Sequence, residues 1–272
     1  MEKKVLIIGL DGARPDAVRA ADTPNIDTLV RRGVVSWNAE TEPLTSSGPA
    51  WTSLLTGVHT EKHDVRANDA IVDEKSCETF FRILKNRDPA IRCVAHSNWA
   101  PIITEIFEAG ALDVSSSGGP DREITRHLVA DIADGAGDLY FVQLDEVDGA
   151  GHDYGYSPRS QGYLRKIEEA DHRIGEILDA VDARPRWEDW LLCLVSDHGG
   201  IGTGHGGSTP EEQTILFIVA GAAIARKGEI PVSVCGPPQI VDVVPTIAEF
   251  LGAQAEGHWD GRSHLGRSLG AP

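Results

Sequence analysis

Three apolar runs in this sequence end on acidic residues: Leu10 leads into Asp11, Leu144 into the Asp145–Asp148 segment, and Ser196 into Asp197. The runs Val5–Leu10, Leu139–Leu144 and Leu191–Val195 are short and bounded by polar or glycine-containing turns, as expected of strands buried on both faces. Ile91–Ala95 and Ile215–Ala220 have the same character. Between the runs lie stretches of helical periodicity: Asn25–Arg32, Pro49–Thr56, Glu78–Asn86, Arg122–Asp134, Ser160–Val181 and Gln239–Leu251. This alternation predicts an α/β fold, with a mainly parallel central sheet covered by helices on both faces. In such a sheet the carboxyl ends of the strands share one edge, and ligands bind there. One acid after a strand is ordinarily a helix cap or a solvated turn. Three of them, two near histidines, predict a common crevice.

The chain has 272 residues and 41% hydrophobic content, enough for a sizeable core, and it shows no repeat or low-complexity tract. It is therefore expected to form a single domain over 1–272. A formal net charge of −17 argues against a nucleic acid polymer as partner, since that binding rests on Lys and Arg neutralising phosphates. Small anions stay open, because a bound metal reverses the local field. No signal peptide or membrane span is visible, the run Val5–Ile8 being far too short for either. Cys77, Cys93, Cys193 and Cys235 lack C-x-x-C spacing, and Cys93 and Cys193 lie inside apolar runs. That pattern suits a cytoplasmic chain. The oligomeric state is open, a homodimer included.

Asp197-His198-Gly199-Gly200 sets a hard oxygen ligand beside an imidazole. Asp148-Gly-Ala-Gly-His152 reads as a glycine-rich turn carrying a second such pair, and His205 follows in a glycine-rich loop expected to order only around a partner. Mixed carboxylate and imidazole donors suit zinc or manganese better than calcium or magnesium. Ser47 lies just before Pro49, where a helix is expected to start and its amides and dipole attract an anion. A serine hydroxyl needs an activating base or metal. With no G-x-S-x-G motif nearby, a metal is the expected activator.

Asp11, the Ser47 segment, Asp148-x-x-Gly-His152, Asp197-His198-Gly and His205 resemble, in order and context, the alkaline phosphatase superfamily. The likeness is to its type I phosphodiesterase/nucleotide pyrophosphatase branch and its short bacterial members. Thr56-Gly57-Val58-His59-Thr60-Glu61-Lys62-His63 is similar to the T-G-x-x-P-x-x-H stretch after that family's nucleophile, with Thr60 in place of Pro. Asp242-Val-Val-Pro245 and Asp260-Gly-Arg-Ser263 resemble its C-terminal helix and final turn. The resemblance implies an alkaline phosphatase-like hydrolase with two divalent ions, zinc or else manganese. Asp11, Asp197, His198 and the Ser47 oxygen would hold one ion; Asp148, His152 and His205 would hold the other. It also implies Ser47 as nucleophile, a phosphoseryl intermediate, Asn68 on a phosphoryl oxygen, and a small phosphorylated substrate. Paired ions about 3.5–4 Å apart clamp the attacking and leaving oxygens of an in-line displacement.

Two departures matter. Gly48 stands where the phosphodiesterase branch often carries an aromatic residue, and Trp51 stands where the sulfatase C/S-x-P-x-R signature needs arginine. Phosphodiesters or nucleotide-type pyrophosphates are the expected substrates. A phosphonoacetate hydrolase-like C–P hydrolase, a phosphomonoesterase and a non-catalytic metal- or anion-binding protein are the alternatives.

Overall fold

A computed structural model describes residues 2–69, 76–186, 188–224, 227–230, 236–254 and 256–265. Its strands are β1 (Glu2–Leu10), β2 (Gly33–Glu40), β3 (Cys93–Ser97), β4 (Val114–Ser117), β5 (Leu139–Leu144), β6 (Glu188–Val195), β7 (Thr214–Gly221) and β8 (Gly228–Glu229). They form one sheet in the order β4-β3-β5-β1-β6-β7-β2-β8. β1 lies parallel to both β5 and β6, and β3 parallel to β4 and β5; β7 runs antiparallel to β6 and β2. The expected mainly parallel sheet is present, with an antiparallel strand toward one side.

Register brings the acidic ends together. Leu10 pairs with Leu144, Gly9 pairs with Val195, and the Asp11 N–H donates to the Leu144 carbonyl at 2.9 Å. Asp11, Asp145 and Asp197 thus leave three adjacent parallel strands at one edge.

Strand alternation sends side chains to two cores. Val5, Ile7, Phe141, Cys193 and Phe217 meet helices Ser47–Thr56, Phe80–Arg87 and Val243–Leu251 on one face. Leu6, Ile8, Val142, Leu194 and Ile218 meet helices Pro24–Arg32, Asp121–Asp134 and Gln161–Asp182 on the other. Both faces are covered, as the apolar runs required.

Several local expectations are corrected. Asp148 and His152 lie in a helix, Glu146–Tyr154, rather than in a turn. Two glycines lower its intrinsic propensity, but tertiary packing fixes it: a Cβ on Gly151 would come 2.2 Å from the Tyr156 ring. The helix expected from Pro49 starts at Ser47, with Ser46 as N-cap. Pro49 is its third residue, where a missing N–H leaves no intrahelical bond unmade. The segment expected as one helix over Gln239–Leu251 is a 3₁₀ turn, Ile240–Asp242, followed by a helix, Val243–Leu251. Cys77, Cys93 and Cys193 are free thiols, while Cys235 lies outside the described residues. Among the described residues, no helix is long and apolar enough to cross a membrane.

Candidate active site

Asp11 and Asp197 are each buried, and each uses one carboxylate oxygen structurally. Asp11 Oδ2 accepts from Trp51 Nε1 at 3.0 Å and from Gln143 Nε2 at 2.9 Å. Asp197 Oδ1 accepts from the backbone N–H groups of Gly12 at 3.0 Å and His198 at 2.9 Å. The other oxygens, Asp11 Oδ1 and Asp197 Oδ2, are buried without a hydrogen-bond partner. They lie 3.5 and 3.3 Å from His198 Nε2, and Ser47 Oγ lies 3.2 Å from the same nitrogen. His198 Nδ1–H donates to the Gly199 carbonyl at 2.9 Å, leaving the Nε2 lone pair aimed at the orphan oxygens. Burial holds His198 below the usual imidazole range, which favours that neutral form.

Converging lone pairs repel. Burial, then the Asp197, Asp145 and Asp148 charges, push the Asp11 carboxyl well above its ordinary range. Burial pushes Asp197 up to about 7. A cation relieves both effects, and the donor spacing fits one. Bonds of about 2.0–2.1 Å in a tetrahedral shell put neighbouring donors roughly 3.3 Å apart.

The second group surrounds Asp148. Its Oδ2 lies 3.2 Å from His152 Nε2, and its Oδ1 lies 3.7 Å from His205 Nε2. Helical i,i+4 spacing puts Asp148 and His152 on one face. Asp148, His198 and His205 offer donor atoms within 4.8 Å of one another, with the His198 and His205 rings stacked at 3.8 Å. His152 approaches from the solvent side, half-exposed, with its ring centroid 5.1 Å from that of His205. The closest triple therefore contains His198, and His152 joins it through Asp148. As in His198, each ring gives its Nδ1–H to a carbonyl: His152 to Thr203 at 2.9 Å and His205 to Thr45 at 2.7 Å. Three Nε2 atoms are left for ligation, each ring held through its Nδ1–H as is typical of metal-binding histidines. The loop of His205, expected to need a partner for order, finds one in Thr45, whose hydroxyl also accepts from Gly206 N.

Ser47 is 8% exposed in the first turn of its helix. Asn68 Oδ1 accepts from Gly48 N at 2.7 Å and Ser46 Oγ at 2.8 Å, so the exposed Asn68 caps this turn and keeps its Nδ2 donors for another partner. All seven expected ligand residues thus meet at the strand edge, with Asn68 beside the helix turn that carries Ser47. Sequence reasoning missed Gln143, Thr45 and Tyr156, and it named Asp145 and Trp51 without their partners Gln143 and Asp11. Gln143 Nε2 bridges Asp11 Oδ2 and Asp145 Oδ1, and burial pushes Asp145 up to about 6. Gln143 had a signal, a polar residue inside an apolar strand.

Comparison with known proteins adds the following. A family model described as type I phosphodiesterase / nucleotide pyrophosphatase matches residues 5–111 and 109–208. Bis(5'-adenosyl)-triphosphatase ENPP4 of Bos taurus is 22% identical over 219 residues, covering 72% of this chain and 47% of its own length. The multifunctional alkaline phosphatase superfamily protein PehA of Trinickia caryophylli is 31% identical over 154 residues, covering 54% of this chain and 29% of its own. The chain thus spans about half the length of the first of these relatives or less. Inactive murine ectonucleotide pyrophosphatase/phosphodiesterase 5, solved with AMP, superposes at a TM-score of 0.78 with 16% identity, over 94% of this chain and 97% of that one. A 2-O GAG sulfatase superposes at 0.76 with 14% identity, over 97% of this chain and 73% of that one. At such identities the solved structures speak to the fold alone.

Proposed function

The chain belongs to the type I phosphodiesterase/nucleotide pyrophosphatase family, of alkaline phosphatase-like fold, and from that premise we propose that it hydrolyses phosphodiesters or nucleotide-type pyrophosphates through a phosphoseryl intermediate on Ser47. Asp11, Asp197, His198 and Ser47 would hold one divalent ion, and Asp148, His152 and His205 the other, zinc in preference to manganese. The observation that carries this reading is the pair of partnerless buried oxygens, Asp11 Oδ1 and Asp197 Oδ2, set around His198 Nε2 beside Ser47 Oγ. When bound, the ions supply Lewis acidity that lowers the proton affinity of the serine hydroxyl and offsets phosphoryl charge.

The chain's own residues do the rest. The helix opening at Ser47 directs its amide end at an incoming phosphoryl group. Asn68, held by Gly48 and Ser46, offers Nδ2 to a phosphoryl oxygen. Ser47 Oγ bonds to phosphorus as the bond to the leaving oxygen breaks, its proton passing through solvent to the leaving oxygen, and water then cleaves the serine ester and returns a proton to Oγ. His152, His198 and His205, each held at Nδ1, keep their donor atoms fixed through both steps.

The Bos taurus relative, a bis(5'-adenosyl)-triphosphatase, and the AMP complex of the murine neighbour support a nucleotide-type substrate. The disposition of cations supports a singly charged phosphoryl centre. Arg14 spends its donors on Tyr156 O, Gly200 O and Asp16; Lys62 turns to Asp260 and the His258 carbonyl. The free thiols support a cytoplasmic setting, and residues 1–272 are proposed as one catalytic domain. A panel of phosphomono-, phosphodi-, phosphono- and sulfate esters, run on zinc- and manganese-loaded protein, tests the reading. Diester turnover supports it. Phosphonate, monoester or sulfate turnover without diester turnover, or metal binding with no turnover, contradicts it.

A further inference from the structure

Two glycines from different motifs make room for the same ring. A Cβ on Gly151, of Asp148-Gly-Ala-Gly-His152, would come 2.2 Å from Tyr156 Cε1, and one on Gly200, of Asp197-His198-Gly-Gly, would come 2.5 Å from Tyr156 Cγ. Tyr156 is 2% exposed and lies edge-on to His152 and His205, with ring centroids at 5.5 and 6.0 Å. Its hydroxyl donates to Asp148 Oδ1 at 2.5 Å. Arg14 Nη1 ties the Tyr156 carbonyl to that of Gly200, and Tyr156 N donates to the Gly202 carbonyl at 2.8 Å. The ring therefore spans the helix carrying Asp148 and the loop carrying His198 and His205.

From this geometry we propose that Tyr156 is a positioning residue for Asp148 and selectively sets the affinity of the ion held by Asp148, His152 and His205. This rests on the two-metal reading above. The phenol's hydrogen bond to Oδ1 restrains rotation of the Asp148 carboxylate and favours the orientation that puts Oδ2 3.2 Å from His152 Nε2. The Asp11–Asp197–His198 group has orienting partners of its own in Trp51, Gln143, Gly12 and Gly199, so it does not depend on the phenol. Tyr156 thus separates the two halves of the site energetically. Loss of a hydrogen-bond partner that orients a metal-binding side chain typically weakens metal binding by about 10–100-fold.

The test is a zinc titration of chelator-stripped wild type and Tyr156→Phe against a chromophoric chelator, resolving successive ions. Phenylalanine keeps the ring over both glycines, so the stripped variant is expected to melt within a few degrees of stripped wild type. Wild type should bind two ions per chain. Tyr156→Phe should hold one ion unchanged and the other at least about tenfold less tightly, and excess zinc should restore its turnover. Equal weakening of both ions, no weakening, a large loss of melting temperature, or a turnover defect that zinc does not rescue would overturn the positioning role. Wild type binding fewer than two ions would instead overturn the two-metal reading, before the variant is compared.

Discussion

Trp51 Nε1 donates to Asp11 Oδ2 across 3.0 Å, so the helix that opens at Ser47 also fixes the carboxylate at the end of β1. The approach is possible because β1 carries Gly9, where a Cβ would stand 2.4 Å from the Trp51 ring. Trp51→Phe keeps the apolar fill but leaves Asp11 Oδ2 to Gln143 alone. We expect a stability loss on the order of 1–3 kcal/mol in urea and roughly tenfold weaker binding of the ion at Asp11. Unchanged zinc affinity in a chelator competition would remove Trp51 from this role.

Ser47→Ala removes the hydroxyl 3.2 Å from His198 Nε2 but keeps the Asp11, Asp197 and His198 donors. Zinc content should persist, while diester turnover should fall by about a thousandfold or more. Full activity in the variant would transfer the attack to Ser46, Thr45 or water.

Diesters should outperform monoesters in kcat/KM. Arg14 and Lys62 are spent on other partners, and the additional carboxylate Asp145 beside Gln143 makes the edge still more acidic. A dianionic monoester meets more repulsion there than a monoanionic diester. Comparison of bis-aryl and mono-aryl phosphate checks this. A monoester advantage above about tenfold, roughly 1.4 kcal/mol, contradicts it.

Much of this site could be read from the sequence because its signals are local. A parallel strand of Val, Ile and Leu ending in Asp reveals both an element and its functional end, as at Asp11 and Asp197. Asp148 and His152 are visible as a pair, but glycines at 149 and 151 mimic a turn, and only contact with Tyr156 explains the helix. β2 escaped notice because an irregularity between Ser36 and Ala39 breaks its alternation, and β4 because Val114–Ser117 is mostly serine. The orienting residues Thr45, Trp51, Gln143 and Tyr156 act through contacts whose partners are set by the fold, so no local pattern marks them together.

Away from the strand edge, His63 should set part of the acid limb of stability. It is fully buried, its Nδ1 accepts from Val65 N at 3.0 Å, and its Nε2–H donates to Ser53 Oγ, which donates on to Glu42. Burial lowers it from 6.5 to about 4. The depressed value means that its stabilisation is complete above pH about 6.5 and is lost as pH falls toward about 4, on the order of 3 kcal/mol. His63→Asn, which retains an acceptor, should flatten the stability-versus-pH slope across that window. An unchanged slope would assign the acid limb to other groups.

The central claim is that Ser47 attacks phosphorus and is then released by water. Two successive in-line displacements each invert the phosphorus centre, whereas direct attack by water inverts it once. The decisive measurement is the stereochemical course at phosphorus, using a chiral phosphorothioate diester hydrolysed in isotopically labelled water by the zinc-loaded protein. Net retention is the predicted result, and net inversion would contradict the covalent serine route.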